Sequence, residues 1–538
     1  MKINHWGILG LASALFHGAP SAFADTQQTT LFVENNIDNN FFITYTGSSV
    51  VISGSNRWGS MRLRSAGYQT SLGYISDNQY FATQTEGDLW LDNPPISYLM
   101  TGQSCDSYGL SARSGCDEST STLPGAVMEK NGIYGANVDT NLRGTLSEAF
   151  YQYMQQMPAG SSFSMMMYTC ATSTTYDPTS TWRCSRVAPF YSSGTVTITK
   201  SAHLTLINTN SVDEVFINSD GVPTPAEGNT NCKLQTVGAH SGLACKMVSY
   251  SLDGGGGAQT VLVYPMILNT ALAAIVPSQG SYDMQFSLDG STWKPVSNSS
   301  VQSYTLGELT SSSAIYFFFS ERLFKKMVES GITDTDSKDL LNLRIERPNG
   351  TPTISRMYEF TTSNSLLIKP RDFSISITAK DYSDAPSLAG YVGEDEPSLD
   401  FNYIVTTTGK TAADEVLIKA TGPTQQINGR AYCIFSANDG SIKVPFPATL
   451  SFSKQDGSIK TYDAGCDGSW RDMTDALWIT SAWTDISGEA GTMDKATVKF
   501  SIPMNDEISL KTLDNNEWYG DVSASGEIYV QATWRDIN

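Results

Sequence analysis

Phe373-Ser374-Ile375-Ser376-Ile377-Thr378 is the stretch on which the fold turns. Apolar and hydroxyl side chains alternate with a period of two, so Phe373, Ile375 and Ile377 share one face of an extended strand and Ser374, Ser376 and Thr378 the other. The same style runs outward in both directions. Thr195-Val196-Thr197-Ile198-Thr199 alternates, and His203-Leu204-Thr205-Leu206 continues it. Met284-Gln285-Phe286-Ser287-Leu288 runs into Asp289-Gly290, a hairpin dipeptide whose glycine tolerates positive φ. The last segment sets Ile528, Val530, Ala532 and Trp534 on one side. With Gly, Asn, Asp and Pro turns between such runs, the chain reads as mostly β.

Two helices are expected within the strands. Thr145-Leu146-Ser147-Glu148 has the pattern of a capping box, followed by Phe150, Tyr153 and Met157 at helical spacing until Pro158. Ser320 caps a second helix that turns Leu323, Phe324, Met327 and Val328 inward and stops at Gly331. Both stripes read as core packing over sheets. Val261–Val276 lacks charge but contains Pro265, Asn269 and Thr270, so it reads as a buried strand and its connection. Asp381–Ser398, with Pro386, Gly390, Pro397 and Glu394-Asp395-Glu396, reads as a linker or long loop before a C-terminal unit. The cluster Asn218, Asp220, Gly221, Pro223 and Pro225 marks another boundary.

With 538 residues the chain is too long for one core and suggests about three domains at ~150 residues each. Lys and Arg number 34 against 54 Asp and Glu, a net charge of -20, which argues against binding to nucleic acid or to anionic lipid. Lys2, the apolar run Trp6–Phe16 and Ala22-Phe23-Ala24 form a secretory signal, so the mature chain is expected to start at Asp25. Eight cysteines follow: Cys105, Cys116, Cys170, Cys184, Cys232, Cys245, Cys433 and Cys466. An even count in an exported chain favours disulfides, with four sequence-local couples the simplest pairing. None of the couples has the C-x₂₋₄-C spacing of a zinc site.

Chemistry is hard to find. Gly409-Lys410-Thr411 matches only the tail of a phosphate-binding loop, since Ile404 holds the place of its first glycine. No G-x-S-x-G elbow is present, and His203 and His240 are the histidines left after the signal. Asp334-x-Asp336 opens like a calcium loop but has Lys338 at the fifth position. No catalytic, metal or cofactor residue is expected. Paired carboxylates among so many acids leave a secreted carbohydrate-active enzyme as the alternative.

Longer peptides carry a resemblance. They are Phe32-Val33-Glu34-Asn35-Asn36, Ala149-Phe150-Tyr151-Gln152-Tyr153-Met154, Glu214-Val215-Phe216-Ile217-Asn218, Ile368-Lys369-Pro370-Arg371-Asp372, Lys410-Thr411-Ala412-Ala413-Asp414-Glu415 and Trp470-Arg471-Asp472-Met473-Thr474. In these the chain resembles the tip-adhesin family of the Escherichia coli common pilus over nearly all of its mature length. It departs most at 105–141, 168–191 and 251–280, so ligand preference does not carry over.

The resemblance implies tandem immunoglobulin-like, pilin-type β-sandwich domains with two short inserted helices. Expected units are a signal peptide over 1–24, an N-terminal adhesin region over 25–220, a middle region over 221–371 and a pilin-like domain over 372–538. The implied protein is a non-enzymatic subunit, exported through the periplasm to a fimbrium tip, that mediates adhesion and early biofilm formation. Its implied partners are the major pilin of the fibre, a periplasmic chaperone, an outer-membrane usher and a host-cell receptor or abiotic surface; a structural initiator without a receptor is the variant reading. A sandwich lacking one strand exposes an apolar groove and unpaired backbone groups, which an alternating strand from the next subunit satisfies. Phe373, Ile375, Ile377, Ile528, Val530, Ala532 and Trp534 are the candidates for that assembly, with self-polymerisation possible through the first three.

Overall fold

Strands dominate a computed structural model that describes residues 21–22, 25–35, 40–46, 51–55, 62–63, 68–69, 73–77, 81, 83–104, 122–138, 142–188, 190–218, 220–226, 228–255, 261–276, 281–296, 302–309, 312–346, 357–383, 385–484 and 490–535. Residues 1–20 of the expected signal, together with Cys105 and Cys116, lie outside the described residues. Buried apolar side chains gather into three large clusters along the chain.

The first cluster lies under β1 (Thr26–Asn35), β2 (Glu86–Asp92), β3 (Gly132–Asn137), α1 (Glu148–Gln156), β4 (Ser162–Thr172) and β5 (Phe190–Ile207). Neighbours run antiparallel in the order β3, β2, β4, β5, and β1 joins β5 in parallel. Ser21–Ala22, ahead of the expected cleavage point, also pair with Ser192 and Ser193. The two alternating stretches at 195–206 form one strand, β5, that serves two cores. Val196 and Ile198 face the first, and Ala202, Leu204 and Leu206 the second. The register with β1 shifts between Lys200 and Ala202. There the fully buried Lys200 turns its Nζ to the carbonyls of Met154 and Met157, each at 2.7 Å, and so caps α1 where its own carbonyls have no helical partner.

α1 starts later than its capping pattern suggests. Ser147, not Thr145, is the N-cap and accepts from the Phe150 N–H at 3.2 Å. Thr145 is instead drawn into a strand pairing with Tyr74 and Gly102, and sheet pairing overrides the local cap signal.

The second cluster is held by β6 (Ser211–Ile217), β7 (His240–Gly254), α2 (Thr270–Ile275), β8 (Ser281–Ser287), β9 (Ser312–Ser320), α3 (Glu321–Glu329), α4 (Ser337–Leu340) and β10 (Asn364–Pro370). β7 pairs β9, β9 pairs β8, and β6 runs parallel to β10. Ser320 caps α3 as expected, accepting from the Leu323 N–H at 3.0 Å, with Leu323, Phe324 and Met327 buried. Two helices were expected, and the described residues contain four. Asn269, read as an interruption, caps α2 through its side chain, and Asp336 caps α4. Both helices are short, six and four residues, without an apolar stripe long enough to show in the sequence.

The third cluster is a sandwich. One sheet carries β11 (Ser374–Ala379), β12 (Leu399–Gly409), β14 (Thr449–Ser453) and β15 (Ala490–Ile502); the other carries β13 (Glu415–Thr421) and β16 (Glu527–Thr533). Val405, Ile418, Val444, Phe446, Leu450 and Val498 fill the space between. The segment 381–398 connects β11 to its antiparallel partner β12, so it is a loop inside this unit and not a linker before it.

Candidate functional site

Among the strands of the C-terminal sandwich that are bonded on one side only are β11 and β16. Among the described residues β11 pairs with β12 alone, and β16 with β13 alone. The two approach each other across the gap between the sheets. Each edge strand presents a row of backbone N–H and C=O groups that a further strand can pair with.

The alternation that predicted β11 holds, but burial divides in an unexpected way. Ser374, Ser376 and Thr378 are buried, while Ile375 and Ile377 pack only partly against the core. The hydroxyl face is covered because it meets neighbours on both flanks. Ser374 Oγ lies 2.8 Å from Thr408 Oγ1 of β12, and Ser376 faces Glu214 of β6. The apolar face packs against the sandwich core, and Ile377 also lines a cleft. Ile528, Val530 and Ala532 of β16 are half-covered in the same way from the opposite side, while Glu527, Tyr529 and Gln531 are exposed.

Phe373 departs from its expected place in the strand. Its φ of 56° lies in the left-handed region, which costs a bulky residue backbone strain, so the strand begins at Ser374. The Phe373 ring meets Trp534 edge to face with centroids 5.6 Å apart, and the Trp534 Nε1–H donates to the Thr411 carbonyl at 3.1 Å. That contact closes one end of the gap. At the other end the space widens into a cleft of about 640 Å³ lined by Ile377, Leu399, Phe401, Tyr403, Phe500 and Ile528. The disulfide Cys433–Cys466 forms part of its wall, and Val212, Asp336 and Leu367 of the middle unit border it.

Thus Ile375, Ile377, Ile528, Val530 and Ala532 all pack against the C-terminal core, Ile377 and Ile528 also line the cleft, and Phe373 meets Trp534. The sequence reading missed Leu399, Phe401 and Tyr403, although their i, i+2, i+4 spacing is the same strand signal. It had no means of finding the middle-unit wall. Two further disulfides, Cys170–Cys184 and Cys232–Cys245, lie in the other two units.

Glu214 is a buried acid beside this joint. Burial pushes its carboxyl above the usual range, against the opposing pull of Ser376, Lys369 and Lys495, and its Oε1 has no hydrogen-bond partner among the described residues.

Models of the Escherichia coli common pilus adhesin EcpD match residues 19–204 for its N-terminal domain and 208–365 for its middle domain, and a model of the EcpD C-terminal domain matches 372–532. The fimbria adhesin EcpD of Escherichia coli strain K12 is 53% identical over 546 residues, covering 99% of this chain and 97% of that one. The fimbria adhesin EcpD of Escherichia coli O6:H1 is 55% identical over 520 residues, covering 94% and 93%. Among solved structures, CfaE, the adhesive subunit of CFA/I fimbria of enterotoxigenic Escherichia coli, aligns over 62% of this chain and 83% of its own at 10% identity, with a TM-score of 0.21.

Proposed function

The chain belongs to the EcpD fimbria adhesin family, and from that membership we propose that its C-terminal sandwich takes up a strand from the major pilin, so that the chain caps the fibre. It is a fimbrial tip adhesin, exposed on the cell surface. We read its role as non-enzymatic, with residues 25–371 facing a host-cell receptor or an abiotic surface and residues 372–538 forming the assembly domain. On this reading it reaches the surface through the periplasm with a chaperone and an outer-membrane usher.

One observation carries the assembly role: two edge strands, β11 and β16, flank a gap whose apolar walls are only half-covered. An inserted strand of alternating character gains on two counts. Its backbone satisfies the free edges, and its apolar side chains cover Ile375, Ile377, Ile528 and Val530 at ~25 cal/mol per Å² of apolar surface removed from water. The Phe373–Trp534 contact closes one end, so insertion starts from the open cleft.

A synthetic peptide of the major pilin's N-terminal segment tests this. At 100-fold excess over its Kd it should stabilise the sandwich by about 2.7 kcal/mol, a melting shift of roughly 5–10 °C for a unit of this size. A folded sandwich whose melting point does not move in saturating peptide would contradict the reading.

A further inference from the structure

We propose that the surface around Asp283, in the middle unit, is a binding site for a carboxylated sugar. The site rests on four elements. Asp283 and Tyr282 come from β8, Ser320 closes β9, Arg322 and Lys326 lie on successive turns of α3, and His240 opens β7.

At its centre is a buried carboxylate, Asp283, whose side chain is 3% exposed. It accepts from Ser320 Oγ at 2.9 Å and from Arg322 Nε at 2.7 and 3.0 Å on its two oxygens; Lys326 Nζ stands at 3.3 Å and His240 Nδ1 at 3.9 Å. Ser320 Oγ in turn accepts from the Leu323 N–H, which fixes it at the start of α3. Arg322 is therefore held by Nε alone. Its two Nη groups make no hydrogen bond among the described residues, and its side chain is 60% exposed. A guanidinium anchored from behind with its fork directed outward is preorganised for a planar bidentate anion.

The charge count points the same way. Two permanent cations, Arg322 and Lys326, share one carboxylate. Elsewhere Lys454 and Lys460 share Asp456 and Asp475, and Arg344 faces both Glu346 and Glu359. Among the ion pairs of the described residues, the Asp283 cluster sets two permanent cations against one carboxylate, on a chain whose overall charge is -20. The general field repels anions, so recognition must come from short-range contacts and not from steering.

Tyr282 supplies the second half of the ligand. Its ring stacks on His240, with centroids 6.3 Å apart and 16° between planes, and is 61% exposed. An exposed ring beside a cationic fork accommodates the apolar face of a pyranose while the fork takes its carboxylate. Inorganic anions would use only the fork. Uronic and sialic acids share the required chemistry.

The adhesive reading gives this site its use, but the experiment separates the two. The mature chain is titrated with trigalacturonate and with sialyllactose, each beside its carboxyl-reduced counterpart, by saturation-transfer NMR and calorimetry. At least one acid should bind, and its reduced form should bind about tenfold more weakly, the equivalent of losing one charge-assisted pair. Arg322→Gln should lose a similar factor, and Arg322→Lys, which keeps the charge without the fork, should recover part of it. Tyr282→Ser changes an exposed side chain outside the Asp283 network and should weaken the sugar acid while leaving the melting point in place. The proposal is overturned if neither acid binds, if acid and reduced forms bind equally, or if folded Arg322→Gln binds like the parent. Should that happen while pilin-strand uptake persists, this site falls and the assembly role stands.

Discussion

Glu214 and Lys200 carry buried charge in opposite circumstances. Lys200 reaches three helix-terminal carbonyls, whereas one oxygen of Glu214 reaches nothing among the described residues. The raised pKa of Glu214 means that the folded chain holds this proton more tightly than the unfolded chain. Its contribution to stability is therefore complete below the ordinary glutamate range and is lost as pH rises through the raised value. Glu214→Gln should remove that loss, raising neutral-pH stability and flattening the pH dependence of denaturant midpoints from mildly acid to neutral pH. An unchanged slope would show that Lys369 and Lys495 already balance the charge. The site of this carboxylate was not legible in the sequence. Glu214 follows Asp213 in β6, and Ser376 of β11, which faces it, comes from a distant part of the chain.

Strand identity, by contrast, could be read directly, because a period of two needs no distant partner. What could not be read was which face of β11 would be the wetter one. Hydrophobicity alone assigns Ile375 and Ile377 to the interior and Ser374 and Ser376 to solvent, yet the hydroxyls are covered and the isoleucines half-open. The serine face is covered by β12 and by Glu214 of the middle unit, while the isoleucine face packs only partly against the sandwich core. The cap of α1 likewise moved from Thr145 to Ser147 because a sheet claimed Thr145. A charge placed on the open face tests the arrangement. Ile377→Asp should cost the free chain less than the ~2–5 kcal/mol expected of a fully buried aliphatic lost from a core, since water reaches it. The same change should reduce the peptide-induced melting shift by more than half. A variant that takes up the pilin segment as well as the parent would remove Ile377 from the groove.

Across the chain, three cores are joined by strands that serve more than one of them. β5 faces two cores, and β6 and β10 lie between the middle cluster and the C-terminal sandwich. The cleft at that joint is lined by residues of both the middle unit and the C-terminal sandwich. Hydrogen exchange on β11 and β16, before and after addition of the major pilin's N-terminal segment, reports on it directly. In the free chain, alternate amides along both strands should exchange faster than those of the doubly paired β12 and β15, and the segment should slow both sets together. Edges as protected in the free chain as β12, or edges untouched by a segment that demonstrably binds, would contradict an open sandwich completed by its neighbour.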